Sequence, residues 1–600
     1  MTLTRTSLRV LGLIAVLAFL LAFVGCNSGS GSSIIRHKKV PRPTPTPTGT
    51  GATPTATPTA QGTSSSTASA TPTPAPMGLN KVNHIIIAMQ ENHSFDNYFG
   101  VLPYASPAAS GTPTYHAPSS AGTVCDPSDH QCVNGLSCTR DMNGNYTCTN
   151  SNKDDDGSMP TVFHSSDYCV APDLDHSWQS THKEANLNNP NDTLMSQPDD
   201  GFVIVNDQTE QVDGPETPTD DDTIGFYNES DLPYYYGLAQ TFAISDSYHA
   251  DVLGPTFPNR SYFQAATSFG HLDTSEEVPT TPGGYKVITG TIYDRLDAAG
   301  ITWADYFTDL PDAGTFRAPS GTNFRPIAQF ATDLQAGTLP QVAFIDPELL
   351  GTTNLATDEH PPHDIRAGEF YMQNVVVDPL RKSTSWNDSI LFITYDEHGG
   401  FYDHAVSPPA PQGGALTPDG INPGQCADNS NPPTSTMPGG GANCSFSVTD
   451  ATALCPTFTA AGPYPASCAN FNQLGIRVPI IAVSPFSKTS YVSHVTGDHT
   501  AILALIEKRF GLMPLTARDA GNLATDPLED MFDFTNAPSQ NANFSAIPSA
   551  PMPNLVTDGN GDCNSTPIST PSGFPMRSGT PVAMSTPSAA SGPAKLALKK

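Results

Sequence analysis

The stretch His84-Ile85-Ile86-Ile87-Ala88-Met89-Gln90-Glu91-Asn92 runs from apolar residues straight into a carboxylate and an amide. A short, continuous apolar run of this kind is a strand buried on both faces, so Glu91 and Asn92 sit at the end of a buried strand. Leu391-Phe392-Ile393-Thr394-Tyr395 repeats the device and ends in Asp396-Glu397-His398-Gly399-Gly400. Two strands that deliver oxygen donors to one end predict a site for a hard or borderline cation.

Working outward, apolar runs alternate with helical stretches. Predicted strands are Val82 to Met89, Thr241 to Ser245, Ile301 to Tyr306, Gln341 to Ile345, Ser389 to Thr394 and Val478 to Val483. Predicted helices are Asn259 to Thr267, Ile292 to Ala299, His363 to Leu380 and His499 to Phe510. This order predicts an α/β fold, a mostly parallel central sheet with helices on both faces. In such sheets ligands gather beyond the carboxyl ends of the strands. Glu91-Asn92, the Asp346 to His363 segment and Asp396-Glu397 all follow predicted strands, which implies one shared cleft.

The ends of the chain have a different composition. Residues 1–25 carry Arg5 and Arg9, then an apolar run to Val24, which is the pattern of a secretory signal. Gly25-Cys26 resembles a lipoprotein cleavage site, with Cys26 as the lipidated residue and a membrane surface as the partner of that anchor. The expected location is therefore exported, either on the cell surface or secreted. Residues 26–78 are dominated by Pro, Thr, Ser, Ala and Gly and are expected to form a disordered spacer; residues 539–600 share that bias and are expected to be a disordered tail. The catalytic domain is expected at 79–538.

The net charge of −31 excludes a nucleic-acid partner that binds through clustered Lys and Arg. A phosphorylated substrate is still compatible, because a bound cation inverts the field inside a cleft. With Cys26 lipidated, ten of the eleven cysteines remain, an even number that suggests disulfides in an exported chain. Cys125, Cys132, Cys138 and Cys148 group in one polar stretch and Cys426, Cys444, Cys455 and Cys468 in another. These predict two disulfide-stapled surface insertions, near 103–170 and 410–470, with the pairing left open.

A third element is Gly254-Pro255-Thr256-Phe257-Pro258-Asn259-Arg260, in which a turn leads into a helix and Thr256 takes an N-cap-like position. A hydroxyl beside free backbone N–H groups suits phosphate oxygens. Threonine is a poor nucleophile unless a base or a cation activates it.

Together, Gln90-Glu91-Asn92-His93-Ser94-Phe95-Asp96-Asn97-Tyr98-Phe99-Gly100, the Gly254 to Arg260 segment and Thr394-Tyr395-Asp396-Glu397-His398-Gly399-Gly400-Phe401-Tyr402-Asp403-His404 resemble the signature blocks of the phosphoesterase family, which includes non-specific phospholipases C and bacterial acid phosphatases. The resemblance implies an alkaline-phosphatase-like fold. It implies that Glu91, Asn92, Thr256, Asp396 and Glu397 bind one divalent metal ion of unknown identity, and that Thr256 is the nucleophile. It also implies that Asn92 contacts the phosphoryl group, which makes it substrate-binding, and His404 is placed with it in that role. His93 stands where arginine is common.

His176 in Asp173-Leu174-Asp175-His176-Ser177-Trp178 and His360 in Asp358-Glu359-His360-Pro361-Pro362-His363-Asp364 match active-site histidines of the family and are assigned catalytic roles. Imidazolium would protonate the departing alcohol. The expected activity is hydrolysis of a phosphate ester through a phosphothreonine, of phospholipase C type on phospholipid. Thr256 and Glu397 favour that side over an acid phosphatase acting on small, soluble phosphate esters. A surface-displayed binding protein without catalysis is a third reading, which five intact reactive groups oppose.

Overall fold

The computed structural model describes residues 77–552, apart from 108–113, 121–122, 155–156, 171–172, 191–192, 194–195, 207–221, 269–273, 275–288, 350–355 and 411–470. The expected signal, spacer, second cysteine-rich insertion and the far tail therefore lie outside the described residues.

Eight strands form the central sheet: β1 (His84–Gln90), β2 (Ala243–Ser245), β3 (Trp303–Phe307), β4 (Phe324–Pro326), β5 (Val342–Asp346), β6 (Ser389–Tyr395), β7 (Ile480–Val483) and β8 (Tyr491–Ser493). Their spatial order is β8-β2-β7-β6-β1-β5-β3-β4. β1 pairs in parallel with β6 on one side and β5 on the other, whereas β7 runs against both of its neighbours. This is the mostly parallel α/β architecture the sequence predicts. β1 and β6 are central, and Ile85, Ile86, Ile87, Ile390, Leu391 and Phe392 are all buried. Burial on both faces is why these strands are continuously apolar rather than alternating.

Among the described residues the helices include α1 (Phe95–Phe99), α2 (Trp178–Ala185), α3 (Pro233–Thr241), α4 (Thr256–Ala265), α5 (Ile292–Ala299), α6 (Ala328–Ala336), α7 (Ile365–Tyr371), α8 (Asp378–Arg381), α9 (His499–Phe510) and α10 (Ala517–Thr525). A π turn at Met372–Val377 joins α7 to α8, so the single helix predicted from His363 to Leu380 is interrupted. α4 begins at Thr256, within one residue of the start that the Gly254-Pro255 turn predicts and three before Asn259, the first residue of the predicted helix. Pro258 explains the latter difference: in the first turn of a helix the missing N–H has no partner to lose.

The first cysteine-rich insertion is stapled by Cys125–Cys132 and Cys138–Cys148. Cys138–Arg140 and Tyr146–Cys148 form a two-stranded ribbon. The ribbon is tied to the domain where Arg140 and the Tyr146 hydroxyl both donate to the Glu229 carboxylate. Cys169 is disulfide-bonded as well. Beyond residue 538, the expected start of the tail, the chain continues packed: Ser539, Ile547 and Ala550 are buried and Phe544 lies against Phe242 and Trp386. The packed domain therefore runs on through the described residues to 552.

Candidate active site

The register of β1 and β6 sets the first two groups. Gln90 pairs with Tyr395 at the end of the ladder, so the next residues, Glu91 and Asp396, emerge side by side. Asn92 then turns into the left-handed region at φ 66°, a conformation Asn tolerates better than most residues. The turn lets its backbone N–H donate to Asp396 Oδ1 at 3.1 Å, while the Glu397 N–H donates to the same oxygen at 2.8 Å.

The glycines after Glu397 permit this close approach. A Cβ on Gly399 would lie 2.3 Å from the Asn92 carbonyl oxygen, and one on Gly400 would lie 2.7 Å from Leu174 Cβ. Both glycines have positive φ. Side chains there would push apart Asn92 and the Asp173 to His176 segment.

Asn259 shapes the turn ahead of α4. Its Oδ1 accepts from the N–H groups of Asp251 and Val252, and its Nδ2 donates to the carbonyls of Gly254 and Pro255. Gly254 passes Trp178 so closely that a Cβ would stand 2.9 Å from the indole. The N-cap is Pro255, so Thr256 is the first helical residue rather than the cap itself, and it is buried. Four residues on, Arg260 shares the face of Thr256. Arg260 is fully buried and its guanidinium stands 3.2 Å from Glu91 Oε1, 3.2 Å from Asp396 Oδ2 and 3.3 Å from Asp312 Oδ2. The helix that carries Thr256 is thereby docked on the two carboxylates that end β1 and β6.

His176 and His360 lie on the other flank of these carboxylates. His176 Nε2 is 3.5 Å from Glu397 Oε1 and 3.4 Å from Asn92 Nδ2, and His360 Nε2 is 3.9 Å from Glu91 Oε2. Glu91, Asn92, Asp396, Glu397, His176 and His360 thus form one connected group. His404 does not join it. Its Nδ1 is 2.6 Å from Asp96 Oδ2, in a cluster where Arg477 also binds Asp96 and Asp403. That ion cluster ties α1 to the loop after β6.

Two further histidines steady the site. His499, at the start of α9, lies 2.7 Å through Nε2 from the Asp396 carbonyl, and burial holds its pKa down at about 4. His398 bridges Glu397 Oε2 at 3.3 Å and Glu184 Oε2 at 2.8 Å. Burial disfavours its charge, but the hydrogen bond and charge of Glu184, with those of Glu397, outweigh it and raise the imidazole to about 9.

The donor set fits a divalent cation. Burial pushes the Asp396 carboxyl well above the usual range; Arg260 opposes this, and Glu91 and Glu397 add repulsion. Glu397 is raised by burial too, against the hydrogen bond and charge of His398. Three buried carboxyls and an amide oxygen donor, flanked by Arg260 and His398 on their outer sides, hold more negative charge than those two cations neutralise. A hard cation among Glu91, Asn92, Asp396 and Glu397 would remove the surplus.

The model of the Phosphoesterase family matches residues 82–513. The chain belongs to the Phosphoesterase family. As a phosphoesterase it is 27% identical over 460 residues to non-specific phospholipase C4 of Arabidopsis thaliana, which covers 74% of this chain and 71% of the relative. Phospholipase C B of Mycobacterium tuberculosis is 27% identical over 513 residues, 80% of each chain. Non-specific phospholipase C6 of Arabidopsis thaliana is 32% identical over 349 residues, 55% of this chain and 56% of the relative. Among solved structures, murine ectonucleotide pyrophosphatase/phosphodiesterase 5 matches at a TM-score of 0.29 and 10% identity, covering 50% of this chain and 95% of that one. The phosphoesterase is a phosphoric ester hydrolase.

Sequence reasoning missed the roles of Arg260, Glu184 and Asp312. Arg260 stands inside a quoted motif, and an arginine one helical turn after a candidate nucleophile was the available signal. Glu184 lies 214 residues from its partner His398, and nothing local marks it.

Proposed function

We infer that this phosphoesterase is an exported, metal-dependent phospholipase C that cleaves phospholipid by way of a phosphothreonine on Thr256. What carries the reading is the contact of Arg260 with both Glu91 and Asp396, because it docks the Thr256 face of α4 against the carboxylate group. Phospholipid as substrate is supported by the phospholipases C among the relatives, and export by the apolar segment ending at Cys26, through which the chain would be anchored to a membrane surface.

Glu91, Asn92, Asp396 and Glu397 would hold the cation, with Thr256 as a further ligand; when bound, it acidifies the threonine hydroxyl and offsets charge on the phosphoryl oxygens. Thr256 Oγ attacks phosphorus, a new P–O bond forms, and the bond to the glycerol oxygen breaks. His176 or His360, as imidazolium, would donate its Nε2 proton to the departing oxygen and take a proton back from the attacking water in the second step. Diacylglycerol leaves with a proton in place of that bond. Water then attacks the phosphothreonine, returns the threonine hydroxyl and releases the phosphorylated head group. His398, held by Glu184, fixes the Glu397 carboxylate that would bind the cation, and Arg260 holds Glu91 and Asp396 in register.

The test is a product assay on mixed phospholipids, with an aryl phosphate monoester run in parallel. Diacylglycerol as the first product supports the reading. Inorganic phosphate from the monoester, with no diacylglycerol, would make the protein an acid phosphatase instead.

A further inference from the structure

β8 ends the central sheet with only β2 beside it, and the loop closed by Cys125–Cys132 covers its free edge. The Val492 N–H donates to the His130 carbonyl at 2.9 Å, and His130 Nδ1 donates to the Val492 carbonyl at 3.0 Å. The His130 ring also stacks on Tyr491, with centroids 4.2 Å apart. The loop thereby satisfies backbone groups that an edge strand otherwise presents to solvent.

His494, the residue after β8, fastens this cover. Its Nδ1 is 2.7 Å from Asp246 Oδ1 and its Nε2 is 3.1 Å from the Asp129 carbonyl. A carboxylate and a carbonyl only accept, so both ring nitrogens donate and the ring is an imidazolium. Asp246 Oδ2 in turn accepts the Asn134 N–H at 2.8 Å. One charged ring therefore holds the covering segment at Asp129 directly and at Asn134 through Asp246. The His494 and Asp246 side chains are only 10% and 2% exposed, so salt screens the pair weakly. Burial disfavours the charge of His494, but the hydrogen bond and charge of Asp246, with those of Asp129, outweigh it and raise the imidazole above its ordinary value.

Other charged groups surround the pair. Asp126 and the His130 ring, 5.9 Å away, face His494 from the loop, and Arg477 donates to the Asp246 carbonyl. Lys488 and Asp530 meet at Tyr491 on the strand side. His116 pairs with Asp129 Oδ2 at 3.3 Å, but that pair is exposed and contributes little.

We propose that His494 is a pH-sensitive clasp, which holds the disulfide-closed loop over the edge of β8 in acid and releases it as the pH rises. Because the imidazole is raised in the fold, the clasp contributes fully below about pH 6.5, its ordinary value, and is lost as the pH passes the raised one. Loss of the proton leaves a ring lone pair facing the Asp246 carboxylate or the Asp129 carbonyl, and release uncovers the Val492 N–H and C=O as an unpaired strand edge. The device lies on the sheet edge and does not depend on the chemistry of the cleft.

Hydrogen–deuterium exchange of the full chain tests it, read by mass spectrometry at about pH 5 and about pH 8, on either side of an ordinary histidine, and corrected for the intrinsic pH dependence of exchange. Peptides covering 125–134 and 491–494 are expected to lose protection at the higher pH by about 10–100-fold, the worth of one hydrogen bond to a charged group. Peptides of β1 and β6 are expected to hold theirs. His494→Gln should show the lower protection at both pH values, and His116→Gln should keep the native response. The native chain alone is decisive, since it needs no variant to fold: equal protection at both pH values, or a loss that spreads to β1 and β6, overturns the clasp. A pH response that persists in His494→Gln, or disappears in His116→Gln, overturns it as well.

Discussion

Arg260 Nε stands 3.2 Å from Asp396 Oδ2, and the same guanidinium reaches Glu91 and Asp312. Charge from three different segments is thus compensated by one residue of the helix that bears Thr256. Desolvating a cation this fully is costly, and here three carboxylates outweigh burial and raise the guanidinium pKa above its ordinary value.

Removing that guanidinium leaves buried carboxylates uncompensated. Arg260→Ala is expected to lower stability by about 3–5 kcal/mol, seen as a reduced urea midpoint. Arg260→Lys is not expected to rescue it, because an ammonium cannot spread over three partners as a planar fork does. Native-like stability in the lysine variant would show that the fork geometry does not matter.

Glu184 acts on the site through His398. Glu184→Gln keeps the shape but removes the charge that holds the imidazole protonated against Glu397. Partners of this kind typically change metal affinity by about 10–100-fold, so the variant should bind its cation more weakly in a calorimetric titration while its circular dichroism spectrum is unchanged. Equal affinity would remove Glu184 from the account.

Stability should fall with rising pH through one identified group. Glu507 on α9 is buried against the Asp519 carboxyl, and burial together with repulsion from Asp519 raises its pKa from 4.5 to about 10. The folded chain therefore holds a proton that the unfolded chain releases between those values. The contribution is complete below about pH 4.5 and is lost progressively as pH rises toward 10. Glu507→Gln is expected to stabilise the protein at about pH 8, by on the order of 3 kcal/mol, and to change little at about pH 4. Urea unfolding at both pH values checks this; equal effects at both would contradict it.

What the sequence made legible follows from how local each signal is. β1 and β6 are readable because burial on both faces makes them continuously apolar, and the donors at their ends follow directly. β4 and β8 lie on the two edges of the sheet and have three residues each, too few to show a pattern. The start of α4 was legible from the Gly254-Pro255 turn to within one residue, with Thr256 opening the helix rather than capping it. The ion pairs that position the donors were not legible. Arg260 lies 136 residues from Asp396 and 52 from Asp312, and only the folded chain brings them together. The same holds for His404, whose ring lies 2.6 Å from Asp96, a residue 308 positions away.

The most direct measurement is to stop turnover of phospholipid by acid quench and map phosphate on the protein by mass spectrometry. Phosphate on the peptide containing Thr256, absent in Thr256→Ala together with turnover, is the predicted result. A Thr256→Ala variant that still hydrolyses phospholipid at a near-native rate, or a phosphoryl group mapped to another residue, would contradict the account.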